Sequence, residues 1–408
     1  MLISSLGFHT LTLSLSLKAS EPTELLSDFF HYNRNNKNII IEKTCREYEK
    51  IELEPIEVND DDTFPLPLIT TIHYRQDIGI RWRIVSNRSN PNFNSYIVEA
   101  KINPKILSGI NDYLTAASLD DIGTAINNFN QEAKRISPLL QDFSAYKLSR
   151  VDYCVNFSLK EIAPDCTPEQ IMALIRRSDI PLYYKEWTEY DNVSHRHKSR
   201  SSSFYLINDS VNINIYSKYL QLIEQSQKNI EKGYPPIPQS IINSARDIIR
   251  FEVQCKYRKS YSLSKVATKS GDYNINKYET LLTPEHCTEI INYYYNKIIG
   301  SGHWYSLQSA ISSIKSHHFN KQKENRLIAT LQEVNQCRSI AKAKASHHGA
   351  DLDAYKRSLK DLNSMGINPV TIPREWRINR IWNLLENYHS KVSMLQLTDR
   401  ISGNLIQN

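Results

Sequence analysis

The alternation Leu11-Thr12-Leu13-Ser14-Leu15-Ser16-Leu17 constrains this chain most. A period of two fits a β-strand with one apolar face and one polar face, and it fits no helix. No basic residue precedes the run, so it reads as a half-buried strand and not as a signal peptide. Two later blocks repeat the pattern with charge added. In Leu148-Ser149-Arg150-Val151-Asp152-Tyr153-Cys154-Val155, the side chains of Val151, Tyr153 and Val155 share one face while Arg150 and Asp152 share the other. In Ile248-Ile249-Arg250-Phe251-Glu252-Val253-Gln254, Arg250 and Glu252 oppose Ile249, Phe251 and Val253.

Further strands are expected at 69–86, 95–102, 182–190 and 202–216, with the two charged blocks lying in strands 148–159 and 247–258. Residues 20–65 are polar and read as irregular. Helices are expected at 117–140, after Thr167-Pro168-Glu169, where Thr caps and Pro opens the first turn, and from Ser217 to Ile230. Beyond 275 helical periodicity takes over, at 282–299, 303–315, 320–343, 351–363 and 373–388. The class is therefore α+β: an antiparallel-sheet body over 1–275, then a mostly helical domain over 276–408.

The formal charge of +6 sits entirely in that last part, where 17 Lys/Arg face 11 Asp/Glu. A basic helical tail on a neutral body suits a polyanionic partner. The six cysteines form no CxxC pair, which speaks against a disulfide framework or structural zinc and for a reducing compartment. No apolar stretch reaches the length of a membrane span. There is no Gly-rich phosphate loop and no Gly-x-Ser-x-Gly elbow, so nucleotide hydrolysis and serine-hydrolase chemistry are poor fits.

Two strands each carrying Arg-x-acid on one face can bring Asp152 and Glu252 together, and paired oxygens suit Mg²⁺ or Mn²⁺. Cross-strand Arg–acid pairing on a solvated face accounts for the same spacing. Tyr216 and Tyr219 flank Lys218 at a strand-to-helix junction, and a nearby cation lowers the cost of a phenolate. Plain tyrosine packing is the alternative. His195-Arg196-His197, followed by Lys198 and Arg200, reads as an exposed basic loop that touches phosphate.

Taken in order, several segments resemble the replication initiators of filamentous phages, the gene-two/ten protein family. They are Val98 to Gly109 (VEAKINPKILSG), Leu148 to Asp152, Tyr216 to Gln225 (YSKYLQLIEQ), and Ile249 to Glu252 running into Lys259-Ser260. Tail segments Ala341 to Ala345, Tyr355 to Leu359, and Met365-Gly366 through Pro373-Arg374 continue the pattern, so the resemblance spans about residues 95 to 380. More distantly, the chain is similar to plasmid rolling-circle initiators of the HUH-endonuclease superfamily.

The resemblance implies an HUH-like nuclease body that nicks one strand at a replication origin, frees a 3′-OH, and later rejoins the displaced strand. It implies Tyr216 as nucleophile leaving a 5′-phosphotyrosine and Lys218 as its basic partner; Tyr219, three residues on, is a further catalytic candidate by its spacing. Asp152 and Glu252, with Glu99 as a third, would hold a divalent metal (Mg²⁺ or Mn²⁺). Arg150, Arg250 and the His195–Arg200 loop would contact DNA. The implied partners are origin DNA and a host helicase or polymerase, in the cytoplasm of a bacterial cell. A mobilisation relaxase or a non-catalytic origin-binding protein would share much of this pattern. One departure stands out: broader relatives place an apolar residue between two histidines, whereas this His-x-His has Arg in the middle.

Overall fold

The computed structural model describes residues 5–44, 50–52, 69–87, 95–110, 112–191, 196–198, 203–231, 233–267 and 277–393. In chain order, the first half runs β1 (Ser5–Leu17), α1 (Glu21–Asn36), β2 (Ile39–Thr44), β3 (Lys50–Glu52), β4 (Ile69–Tyr74), β5 (Ile80–Asn87), β6 (Ser95–Ile102), α2 (Pro104–Leu107), α3 (Leu119–Ile136) and β7 (Lys147–Ser158). Next come α4 (Leu159–Ile162), α5 (Pro168–Ile175), β8 (Lys185–Glu186), β9 (Glu189–Asp191), β10 (Arg196–Lys198), β11 (Ser203–Ile207), β12 (Val211–Ser217), α6 (Lys218–Glu231), α7 (Gln239–Ser244), β13 (Ile248–Lys256) and α8 (Tyr257–Ala267). The remainder is α9 (Tyr278–Leu281), α10 (Pro284–Ile298), β14 (Trp304–Tyr305), α11 (Leu307–Ser316), α12 (Lys321–Cys337), α13 (Ile340–Lys344), α14 (Gly349–Ser364) and β15 (Arg380–Ile381), with a last helical run at 384–393.

Eleven strands form one sheet in the order β3-β2-β4-β5-β6-β1-β7-β13-β12-β11-β8. Its pairings are antiparallel throughout. β1, the alternating run of the sequence, lies in the middle between β6 and β7. The alternation sends Leu11, Leu13, Trp82, Ala100, Tyr153, Phe157 and Phe251 into the core. α1 and α3 cover that face on one side, with Phe29 and Phe129 against Trp82 at ring distances of 6.3 and 5.3 Å. On the other side Tyr295 of α10 meets Phe157 and Phe251 at 5.9 and 5.5 Å.

Gly7 is needed where β1 kinks. A Cβ there would lie 2.2 Å from the carbonyl oxygen of Ala117, and that close approach lets Phe8 exchange backbone hydrogen bonds with Ala117. The register of β1 against β7 slips between Phe8 and Leu11. The bulge leaves His9 and Thr10 lining the polar side.

Several expectations are corrected. Residues 20–65 include α1 and β2: α1 buries only Pro22, Leu25, Leu26 and Phe29, and a stripe that thin hides among polar residues. The strand expected at 202–216 is a hairpin, β11 and β12, broken where Asn208 Oδ1 accepts from the backbone N–H of Ser210. The helix expected at 373–388 is a 3-10 turn at Arg374–Trp376, left-handed backbone at Arg377, and β15 paired to β14. Helix starts only at 384, where Asn383 Oδ1 accepts from the N–H groups of Leu385 and Glu386. α5 begins where Thr167 and Pro168 place it, with a reciprocal Thr167–Gln170 cap. The five described cysteines are free, and Cys45 lies outside the described residues.

Residues on both sides of position 276 share one core, which contains Phe8 and Phe251 as well as Ile291 and Leu385. A separate cluster (Ala310, Ile314, Leu327, Leu331, Leu362 and Ile367) joins α11, α12 and α14. Among the described residues, no helix is long and apolar enough to cross a membrane.

Candidate active site

The polar face of the sheet holds a cavity of about 260 Å³ whose lining includes His9, Lys101, Arg150, Asp152, Asn214, Tyr216, Glu252 and Gln254. These come from five adjacent strands, β6, β1, β7, β13 and β12, and the register explains the convergence. Asp152 lies opposite Gln254, and Glu252 opposite both Cys154 and Asn214. Asp152 and Glu252 are thus diagonal neighbours on one face, both buried, at 0% and 3% exposure. Tyr216 lies opposite Arg250, and its phenol donates to Glu252 Oε2 at 3.3 Å. Gln254 Nε2 donates to the other oxygen, Oε1, at 2.7 Å.

Arg250 is the hub beneath. Its Nε donates to Asn156 Oδ1 (2.6 Å), Nη1 to His9 Nδ1 (3.0 Å) and Nη2 to the carbonyl of Thr115 (3.3 Å). A guanidinium has no lone pair to offer, so Nδ1 of His9 is the acceptor and the neutral ring carries its hydrogen on Nε2. That atom lies 3.8 Å from Glu252 Oε2. Asp152 is gripped by Arg150 through two bonds of 2.6 Å.

The enclosure sets the proton affinities. Burial, then the charge of Glu252, push Asp152 up to about 7 against the pull of Arg150. Burial raises Tyr216 well above the usual phenol value, while Arg250 works the other way. Burial first, and Arg250 next, hold His9 well below the usual imidazole value. An unfolded histidine titrates near 6.5, so the fold disfavours protonated His9. Its contribution to stability is complete above about pH 6.5 and is lost progressively below it. Denaturant melts of wild type and His9→Gln at about pH 7.5 and about pH 5.5 are expected to show the larger loss on acidification in wild type. Equal losses would mean that His9 is not held neutral.

Other residues named from sequence are placed differently. Lys218 opens α6 and is 3% exposed; its Nζ donates to Gln221 Oε1 at 2.9 Å, and it does not line the cavity. Burial, then Arg250, hold its proton affinity well below that of an ordinary lysine. Tyr219 packs with Leu222, Ile237 and Ile242 under the guanidinium of Arg246. Tyr216 belongs to the strand and Tyr219 to the helix, so a spacing of three does not bring them together. Glu99 pairs with Arg83 at 3.0 Å and is not part of the cavity lining. His195 and Arg200 lie outside the described residues, and of Arg196, His197 and Lys198 only the backbone pairing with β9 is described.

His9, Lys101 and Asn214 were missed by the sequence reading. Asn214 carried a signal: it is two residues before Tyr216 on an alternating strand. Lys101 stands in the same relation to Glu99. His9 depends on the bulge and gave none.

Among the described residues, no three His, Cys, Asp or Glu side chains come together to hold a metal ion, so the Asp152–Glu252–Glu99 set does not form. A smaller set fits. Mg²⁺ is commonly held by one or two carboxylates together with water and substrate phosphate. Asn214 Oδ1 is buried with no hydrogen-bond partner, directly opposite Glu252 in the register and in the cavity that Asp152 also lines. An orphaned carbonyl oxygen opposite one carboxylate, in a cavity lined by a second, is a donor set for a hard cation.

No protein-family model matches the chain, and no curated protein matches it either. Among solved structures, the rolling circle replication initiator protein from Geobacillus stearothermophilus aligns over 64% of this chain and 78% of that one. The identity is 6% and the TM-score 0.26, a likeness too slight to bear on fold or function.

Proposed function

We propose that this protein is a site-specific DNA nickase of the rolling-circle replication type, with Tyr216 as the nucleophile of an HUH-like body. The observation that carries the reading is the Tyr216 phenol, hydrogen-bonded to Glu252 inside a cavity that also holds Asp152, Arg150 and Lys101. A buried phenol loses its proton only to an acceptor already in place, and Glu252 Oε2 is that acceptor. The phenol oxygen bonds to phosphorus, the bond from phosphorus to the 3′ oxygen breaks, and the 3′ oxygen leaves as a hydroxyl by taking up the proton that Glu252 received from the phenol. Arg250 offsets the charge on the phenolate from behind. Lys101 and Arg150 face the phosphate oxygens in front, and the reverse reaction rejoins a strand. Asp152, Asn214 Oδ1 and the second oxygen of Glu252 would hold a divalent cation, which when bound supplies Lewis-acid polarisation of the phosphate. The basic helical part gives the chain a second contact with origin DNA.

The test uses purified protein and end-labelled single-stranded oligonucleotides tiled across the intergenic DNA of the encoding element. Incubation with Mg²⁺ or Mn²⁺ is expected to leave a 3′-end label covalently on the protein, and chelator is expected to abolish the adduct. Tight binding to a tile without any adduct would reduce the protein to an origin-binding factor. An adduct that survives chelation would remove the cation from the scheme.

A further inference from the structure

We propose that a row of cations crossing the strands at right angles, Arg81, Lys101, Arg150 and Lys256, is the track on which one DNA strand lays its phosphates beside the cavity that holds Tyr216. The inference rests on the nicking reading and adds the substrate's path. Arg81 lies opposite Lys101, Lys101 opposite Thr12, Thr12 opposite Arg150, and Arg150 opposite Lys256. Each step is one strand spacing of about 4.8 Å, so the row from β5 to β13 is about 19 Å long. Its members alternate in sequence with core residues (Trp82, Ala100, Ile102, Val151 and Cys255), so the cations share the polar face. Lys101 and Arg150 also line the cavity that contains Tyr216.

Within this row Arg150 is paired with Asp152, and the other three cations have no carboxylate at ion-pair distance among the described residues. Arg83 and Glu99, the next pair along β5 and β6, neutralise each other at 3.0 Å. Arg81 and Lys101 have no such partner among the described residues, and Arg81 Nε is buried without a hydrogen bond. Among the described residues, Lys256 Nζ is held only by the carbonyl of Asn208. Burial and the neighbouring cations lower the proton affinity of both Lys101 and Arg81. A row of crowded, partly dehydrated cations is costly alone and favourable once phosphates lie on it. A single strand fits better than a duplex, because Tyr216 is only 6% exposed at the cavity and a paired backbone cannot lower one phosphate to it.

The test measures binding of a fluorescent oligothymidylate to the full chain in chelator, across a salt series. Each phosphate contact on a single strand contributes about 0.7 to the slope of log affinity against log salt. Arg81→Gln and Lys101→Gln are each expected to reduce the slope by about 0.7, and together by about 1.4. Lys160→Gln, a cation on α4 whose side chain is 79% exposed, serves as control and leaves the slope alone. Removing like charges from a crowded row should not lower the melting temperature, so lost binding will not be lost fold. A double variant with the wild-type slope overturns the track while Tyr216-dependent nicking can still stand. Row-dependent binding without any nicking keeps the track and removes the reaction. A slope change seen with duplex and not with the single strand overturns the single-strand assignment, and no binding of either DNA overturns both readings.

Discussion

Tyr216→Phe is expected to abolish strand cleavage, by at least about 10³-fold, while the protein stays folded and holds the oligonucleotide as wild type does. Losing a covalent nucleophile removes the reaction path itself, and no neighbour replaces it. Tyr219 cannot step in, since it is packed in the α6–α7 cluster beneath Arg246. Phenylalanine fills the same space and gives up one hydrogen bond, the 3.3 Å contact to Glu252, so the melting temperature should shift little. Glu252→Gln is the companion variant. It keeps the shape and withdraws the proton acceptor, for a loss of about 10²- to 10⁴-fold. Covalent adduct formation and binding anisotropy, measured on the same preparations, separate the two effects. Cleavage retained in Tyr216→Phe would dismiss the assignment of the nucleophile.

Arg250→Leu is expected to cost stability rather than rate alone, about 3–5 kcal/mol, because it removes one partner from a buried polar cluster. Arg250 is 1% exposed and donates to Asn156, His9 and the Thr115 carbonyl. Leucine leaves these three acceptors without their donor and removes the positive charge that faces Glu252. Arg250→Lys should recover part of the loss, since an ammonium keeps the charge but cannot serve the three directions of the guanidinium fork. Chemical denaturation gives the number directly. A loss below about 1 kcal/mol for Arg250→Leu would mean that the cluster is wetter than its geometry indicates.

The part of this site legible in the sequence is the part governed by the strand period. Arg150 with Asp152, and Arg250 with Glu252, share a face because alternation leaves no other choice, and β7 and β13 are neighbours. The period says nothing about which strands adjoin, so it could not tell that Glu99 would be claimed by Arg83. His9 was out of reach for a different reason. Its orientation follows from the bulge that Gly7 and Ala117 create, a contact across more than a hundred residues. Helix 373–388 failed because pairing of β15 with β14 outweighs local helical preference, an override of propensity by tertiary contact. α1 failed because its buried stripe is only four residues.

The central place of β1 has a consequence for how the molecule comes into being. On one side of it lie β6, β5, β4, β2 and β3, all complete by residue 102; on the other lie β7, β13, β12, β11 and β8. In the sheet the two wings touch only through this single ribbon, whose partners are far away in sequence, and such remote pairings slow folding. The first wing has what it needs to assemble early during synthesis. The second cannot close until β13, reaching Lys256, slots between β7 and β12. The cavity draws Lys101 from the early wing, His9 from the ribbon, and Asp152, Glu252 and Tyr216 from the late one. If the chain nicks DNA as proposed, a half-made copy has no assembled pocket, and DNA near a translating ribosome is safe from it until β13 arrives.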